Sequence, residues 1–199
     1  MYNLIRKPAP DFCAEAVLAN GDFSEIRLSN FRDKKYVALF FYPLDFTFVC
    51  PSEIIAFSKR VKEFEAKNTQ IIGVSVDSKF SHFAWRNTKI ENGGVGEIAF
   101  PLVSDITKEI SRDYSVLIDD AVALRGTFII DKSGIVRHAT LNDLPLGRNV
   151  EETLRVIDAL QHTEEHGEVC PAGWTKGQTA MKPTPAGVAS FLQVNCQNL

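Results

Sequence analysis

The stretch Val37-Ala38-Leu39-Phe40-Phe41-Tyr42-Pro43-Leu44-Asp45-Phe46-Thr47-Phe48-Val49-Cys50-Pro51-Ser52-Glu53 joins two patterns through one short loop. Its first half, β-branched and aromatic and closed by a proline, predicts a buried strand over 37–42. Beyond Pro51, the residues Ile54, Phe57, Val61 and Phe64 recur at helical spacing and predict a helix over 51–67. Pro51 suits the first helical position, where its missing N–H is not needed, and it biases Cys50 towards an extended, N-cap-like conformation. The Cys50 sulfur then lies beside unpaired backbone N–H groups at the positive end of the helix dipole, a setting that favours the nucleophilic thiolate.

An arbitrary cysteine is more often a small core hydrophobe than a nucleophile. Around Cys50 the neighbours argue the other way. Thr47, three residues earlier, carries a hydroxyl that both donates and accepts hydrogen bonds, as handling an oxygen substrate requires. Pro43 stiffens the entry to the loop and offers no competing donor. The pattern Pro43-x-x-x-Thr47-x-x-Cys50 resembles the active-site motif of the peroxiredoxins.

That resemblance covers nearly the whole chain. The segments Phe40 to Glu53, Leu124 to Asp131, Asn142 to Arg148, and His166-Gly167-Glu168-Val169-Cys170-Pro171-Ala172-Gly173-Trp174 are all similar to the typical two-cysteine peroxiredoxins, which include bacterial alkyl hydroperoxide reductase C subunits. The resemblance implies a thioredoxin-like α/β fold and a thiol peroxidase that needs no metal, haem, flavin or other cofactor. By motif match Cys50 attacks the peroxide, and Cys170 from a partner subunit resolves the sulfenic acid. It further implies a homodimer assembled into a decamer, recycled by thioredoxin or by a flavoprotein disulfide reductase. A redox-regulated holdase chaperone is the alternative function, since the family includes dual-function members.

Length and composition agree with a single domain plus an appended arm, because 199 residues of which 45% are apolar bury a core without disulfide support. A net charge of −3 with interspersed signs gives no footprint for nucleic acid or an anionic membrane. The N-terminus Met1-Tyr2-Asn3-Leu4-Ile5-Arg6-Lys7-Pro8 lacks the apolar stretch of a secretory signal, so a cytoplasmic protein is expected. Four cysteines at irregular spacing then read as catalytic or incidental thiols.

Outside the decisive stretch, the pattern predicts strands at 70–76, 127–131 and 135–140, and helices at 79–89, 106–113 and 149–163. This alternation implies a central mixed β-sheet flanked by helices, with Asp131-Lys132-Ser133-Gly134 as a hairpin turn. From about residue 164, glycines and prolines replace periodicity. The chain therefore divides into a domain, 1–163, which the resemblance makes a thioredoxin-like peroxidase domain, and an extended C-terminal arm, 164–199, expected to dock on another subunit and carry Cys170 there.

A lone arginine such as Arg125 is more commonly a surface ion pair, yet its rigid fork of donors suits stabilising a thiolate and polarising a peroxide oxygen, and the motif match assigns it that role. Glu53 is an ordinary acid in a first helical turn; by resemblance it orients arginines at the site, and Arg148 is a second supporting residue. His162, His166 and Cys170 fall at i, i+4 and i+8, but Gly167 and Pro171 should end the helix first, so no metal site is expected. Gly93-Gly94-Val95-Gly96 lacks the lysine and hydroxyl of a phosphate loop. In the family, Gly-Gly-x-Gly together with a Tyr-Phe pair marks enzymes prone to over-oxidation; here Phe191-Leu192 stands in place of the pair. Cys13 and Cys196 have no supporting constellation.

Overall fold

The computed structural model describes residues 3–198. The chain falls into two compact units, Met1–Val150 and Glu151–Leu199. The first contains strands β1 (Cys13–Val17), β2 (Phe23–Arg27), β3 (Tyr36–Phe41), β4 (Thr69–Ser75), β5 (Leu102–Ser104), β6 (Leu117–Ile118), β7 (Val122–Ala123), β8 (Arg125–Ile130) and β9 (Val136–Asn142). Its helices are α1 (Cys50–Lys59), α2 (Val61–Ala66), α3 (Lys79–Asn87) and α4 (Glu109–Asp113). The second unit holds α5 (Val150–His166), apart from its first residue, and α6 (Pro185–Asn195).

Seven strands form one mixed sheet in the order β2-β1-β5-β4-β3-β8-β9, with β3, β4 and β5 parallel and the outer pairs antiparallel. The continuous apolar run of β3 follows from its central place, buried on both faces. Period-two alternation sends Val37, Leu39 and Phe41 into the core shared with Ile72, Val74, Phe128 and Ile130. Phe40 points the other way and stacks on Phe57 of α1 at 4.6 Å, with Phe100 edge-on at 5.6 Å. Gly73 on β4 is required by this crowding: a Cβ there would lie 2.8 Å from Leu102 Cδ2 and 3.0 Å from Phe40 Cζ. Gly73→Ala is therefore expected to cost about 1–3 kcal/mol of stability, read as a lower urea midpoint at unchanged slope.

Several expectations are corrected. The helix after the loop begins at Cys50 itself: Val49 is the N-cap, in right-handed helical geometry, and its carbonyl accepts from Ser52 and Glu53. Cys50 is thus the first helical residue rather than an extended cap, and Pro51 follows it inside the first turn. The expected 51–67 helix breaks at Arg60, whose backbone leaves helical geometry and divides α1 from α2. The helix expected at 106–113 is confined to Glu109–Asp113. The arm is not extended throughout, because Pro185 and Gly187 lie inside a helix instead of preventing one, and Pro183 comes just before it. Thr184 caps it by accepting from Gly187 N–H, and Pro185 occupies the helix start, where proline needs no donor.

Other expectations hold. The 131–134 turn closes with Gly134 N–H donating to Asp131 O, and Gly134 takes the left-handed φ of +79° that this turn needs. α5 stops at His166, followed by Gly167 at φ +67°.

Candidate active site

The sheet register explains how residues distant in sequence converge. β3 ends at Phe41, and the antiparallel pairing Phe40↔Thr127 puts the start of β8, with Arg125, beside that end. Arg125 pairs with Asn142 at the finish of β9, so the following segment to Arg148 leaves the sheet at the same place. The loop from buried Pro43 to Val49 and the first turn of α1 cover this corner.

Cys50 is completely buried. Its Sγ lies 2.9 Å from Thr47 Oγ1 and 3.3 Å from Arg125 Nη1. Thr47 Oγ1 is also 2.7 Å from Leu44 O, which only accepts. One hydroxyl proton cannot serve both, so Thr47 donates to Leu44 O while accepting from a thiol, or turns its proton towards a sulfur anion or an incoming oxygen.

Arg125 is held in place twice more. Its Nε donates to Leu144 O at 2.6 Å, and Nη1 to Glu53 Oε2 at 2.7 Å. Arg148 grips the same carboxylate through Nε and Nη2, each at 2.8 Å, and through its backbone N–H at 2.9 Å. Arg148 Nη1 donates to Phe41 O and Gly126 O, and its guanidinium lies 5.0 Å from the Phe40 ring centre. All three side chains are at most 4% exposed. Two guanidiniums against one carboxylate leave a net positive charge, and its nearest edge is the Arg125 nitrogen on the sulfur. Such a charge, buried and pre-aligned, suits an anionic nucleophile and the oxyanion that departs from a peroxide.

The structure thus brings Pro43, Thr47, Cys50, Glu53, Arg125 and Arg148 into one corner. The sequence reading did not find Leu144, which acts through its carbonyl, or Tyr42, Asp45 and His82, which form a buried network behind the loop. Backbone acceptors leave no side-chain signal, and His82 comes from α3, far along the chain.

In the second unit, Cys170 is half-buried, its Sγ 3.6 Å from Ala159 O and 3.8 Å from Thr163 Oγ1. Trp174 anchors the same segment: it is 1% exposed, its carbonyl accepts from Arg155 Nη1 at 2.8 Å, and its indole N–H donates to Gln178 O. His162 and His166 stack at 4.3 Å, and His162 Nε2 lies 3.1 Å from Glu168 Oε2.

Comparisons with known proteins agree with this geometry. Residues 5–139 match the AhpC/TSA family, and residues 159–193 match the C-terminal domain of 1-Cys peroxiredoxin. The chain is 61% identical over 193 residues to alkyl hydroperoxide reductase C of Helicobacter pylori strain J99, covering 96% of this chain and 98% of that protein. It is 57% identical over 189 residues to the chloroplastic 2-Cys peroxiredoxin of Hordeum vulgare, covering 94% and 90%. The crystal structure of reduced Plasmodium vivax 2-Cys peroxiredoxin superposes with a TM-score of 0.96 at 53% identity, over 97% of this chain and all of that one. The mixed sheet flanked by helices is accordingly the thioredoxin-like fold anticipated from the motifs. A buried thiol held between a threonine hydroxyl and an arginine, on a chain matched along almost its whole length, leads to one assignment: this protein belongs to the AhpC/TSA family of peroxiredoxins.

Proposed function

We propose that this thiol peroxidase reduces hydrogen peroxide and organic hydroperoxides through Cys50 and Cys170. The supporting observation is the Cys50 sulfur at the start of α1 with Thr47 Oγ1 at 2.9 Å and Arg125 Nη1 at 3.3 Å. The Cys50 thiolate attacks the nearer peroxide oxygen, the O–O bond breaks, and the leaving oxygen takes a proton to depart as water or alcohol. Cys50 is left as a sulfenic acid. The Cys170 thiol of a partner subunit then displaces that hydroxyl, releasing water and forming an intersubunit disulfide, and an external dithiol returns both cysteines to thiols.

In this reading, Thr47 and Arg125 align the peroxide and Pro43 shapes its entrance, while Glu53 and Arg148 position Arg125. Residues 1–163 act as the peroxidase domain and 164–199 as the arm that delivers Cys170. Thioredoxin or a flavoprotein disulfide reductase serves as the electron donor, and the chain works as a homodimer within a decamer, which light scattering in both redox states would reveal. A reducing cytoplasm suits a cycle reset by dithiols; among the described residues no helix is long and apolar enough to cross a membrane. The holdase reading is not favoured, because the relatives are named as reductases and peroxiredoxins.

Cys170→Ser tests the division of labour. One equivalent of peroxide per chain should be consumed, mass spectrometry with a 1,3-dione trap should find the sulfenic acid on Cys50, and turnover with any dithiol protein should stop. A sustained thioredoxin-dependent turnover in that variant would remove Cys170 from the cycle. Thr47→Val, which keeps shape and deletes the hydroxyl, should slow oxidation of Cys50 by about 10²-fold in stopped flow, the scale of one lost preorganised donor.

A further inference from the structure

Phe46 lies between Asp45 and Thr47 with φ +53°, left-handed geometry that bulky residues avoid. Within the single chain the residue is 53% exposed, so contact of its ring with the buried Trp85 ring at 5.8 Å covers it only in part. Asp45 is what is fixed. Its Oδ1 accepts from Tyr42 Oη at 2.9 Å, its Oδ2 lies 2.8 Å from His82 Nδ1, and its backbone N–H donates to Asp77 Oδ2 at 2.9 Å. The side chains of His82 and Asp45 are 0% and 1% exposed. On its far side, His82 Nε2 lies 3.2 Å from Val103 O of β5. A carbonyl only accepts, and so does a carboxylate; both ring nitrogens therefore face acceptors, and both contacts are satisfied only when each nitrogen carries a proton.

We propose that His82 is a positioning residue for peroxide reduction: a buried imidazolium that clamps Asp45, and through it the strained turn at Phe46, so that Thr47 Oγ1 stays on the Cys50 sulfur. The proposal rests on Thr47 acting on the peroxide. Tyr42 Oη is also 3.4 Å from His82 Nδ1. If that nitrogen lost its proton, the Tyr42 hydroxyl would be drawn from Asp45 to the ring, and a buried carboxylate would lose both side-chain donors at once, a costly arrangement.

The other groups facing His82 fit this charge. Asp77, on the loop after β4, has its carboxyl pushed up by burial and by the Asp45 charge, against the Ser75 hydroxyl, the Asp45 N–H and the His82 charge, which lower it. Tyr42 is held as the phenol, well above its ordinary range, by burial and by Asp45. On α3 itself Arg86 is committed to the carbonyls of Ile98 and Ala19. The pocket therefore holds two carboxyl groups, and the imidazolium is the cation set among them.

The test has a spectroscopic arm and a kinetic arm. In ¹⁵N NMR of the full chain at pH 7, the His82 ring, assigned by loss of its signals in His82→Phe, should show a proton on both nitrogens; a ring with one bare nitrogen overturns the proposal. In stopped flow, His82→Phe should slow oxidation of Cys50 by peroxide by about tenfold or more, the effect of a small misplacement of a positioned group. Alkylation of Cys50 by iodoacetamide, which has no peroxide oxygen for Thr47 to hold, should be slowed much less than oxidation by peroxide, and in a Thr47→Val background His82→Phe should add little further loss of peroxide oxidation. Equal slowing of both reactions, or fully additive losses, would show a merely structural role. If His82→Phe does not fold, Tyr42→Phe removes one Asp45 donor and should show the same split at smaller size. If Thr47→Val leaves peroxide oxidation unchanged, the reading of Thr47 fails; if Thr47→Val is slow while His82→Phe is not, only the role of His82 fails.

Discussion

Cys50→Ser is expected to abolish peroxide turnover, with a loss on the order of 10⁴-fold or more, as when an enzyme loses its nucleophile. The substitution is nearly isosteric, and the Glu53 carboxylate keeps its bonds from Arg125 and Arg148, so the fold and the charged corner should survive. What disappears is a soft sulfur able to attack a peroxide oxygen. The other three thiols are not expected to replace it: Cys13 and Cys196 are exposed, and the Cys170 sulfur has Ala159 O and Thr163 Oγ1 within reach, with the Arg155 charge nearby but paired to Glu152. Peroxide consumption followed with a dithiol reductant, beside a circular dichroism spectrum, settles the matter. Residual turnover above about 1% in a folded variant would reassign the nucleophile to another thiol.

The largest stability effect should come from Glu53→Ala. Glu53 is 4% exposed and neutralises one of two guanidiniums that are themselves buried. Removing it leaves both cations out of water without a counter-charge, and breaking a buried pair from one side costs about 3–5 kcal/mol. That is a large share of the 5–15 kcal/mol typical of a domain. Urea unfolding should show a sharply lower midpoint, and a loss under 1 kcal/mol would contradict the pairing. Glu53→Gln, which retains an acceptor oxygen, should lose less stability. It should still slow Cys50 oxidation, since Arg125 Nη1 would no longer be drawn by a charge to its place between Glu53 and the sulfur.

Much of the fold was legible because the relevant signals are local. The run from Val37 to Tyr42 reads as buried strand from composition alone, and Ile54, Phe57 and Phe64 declare the apolar face that α1 and α2 present. The errors arose where local signals are weak or double-edged. β1, β2 and β5 are short, β1 and β2 alternate only in part and β5 is buried throughout, so pairing across the sheet decides them. Proline breaks most elements, yet Pro185 behind the Thr184 cap starts α6.

For the site, the motif alone determined which thiol is the candidate nucleophile, with which hydroxyl and which proline, because Pro43, Thr47 and Cys50 share one loop whose spacing survives any folding of the rest. Family likeness then pointed to Arg125, Glu53 and Arg148 without showing how they meet. Only the tertiary structure decided that. The antiparallel β8 and β9 return Arg125 and Arg148 to the end of β3, where one carboxylate holds both guanidiniums and directs one to the sulfur. The same holds for His82 beneath the loop: contacts across the sheet depend on register and packing, and no property of the linear sequence around His82 specifies which carboxylate it will find.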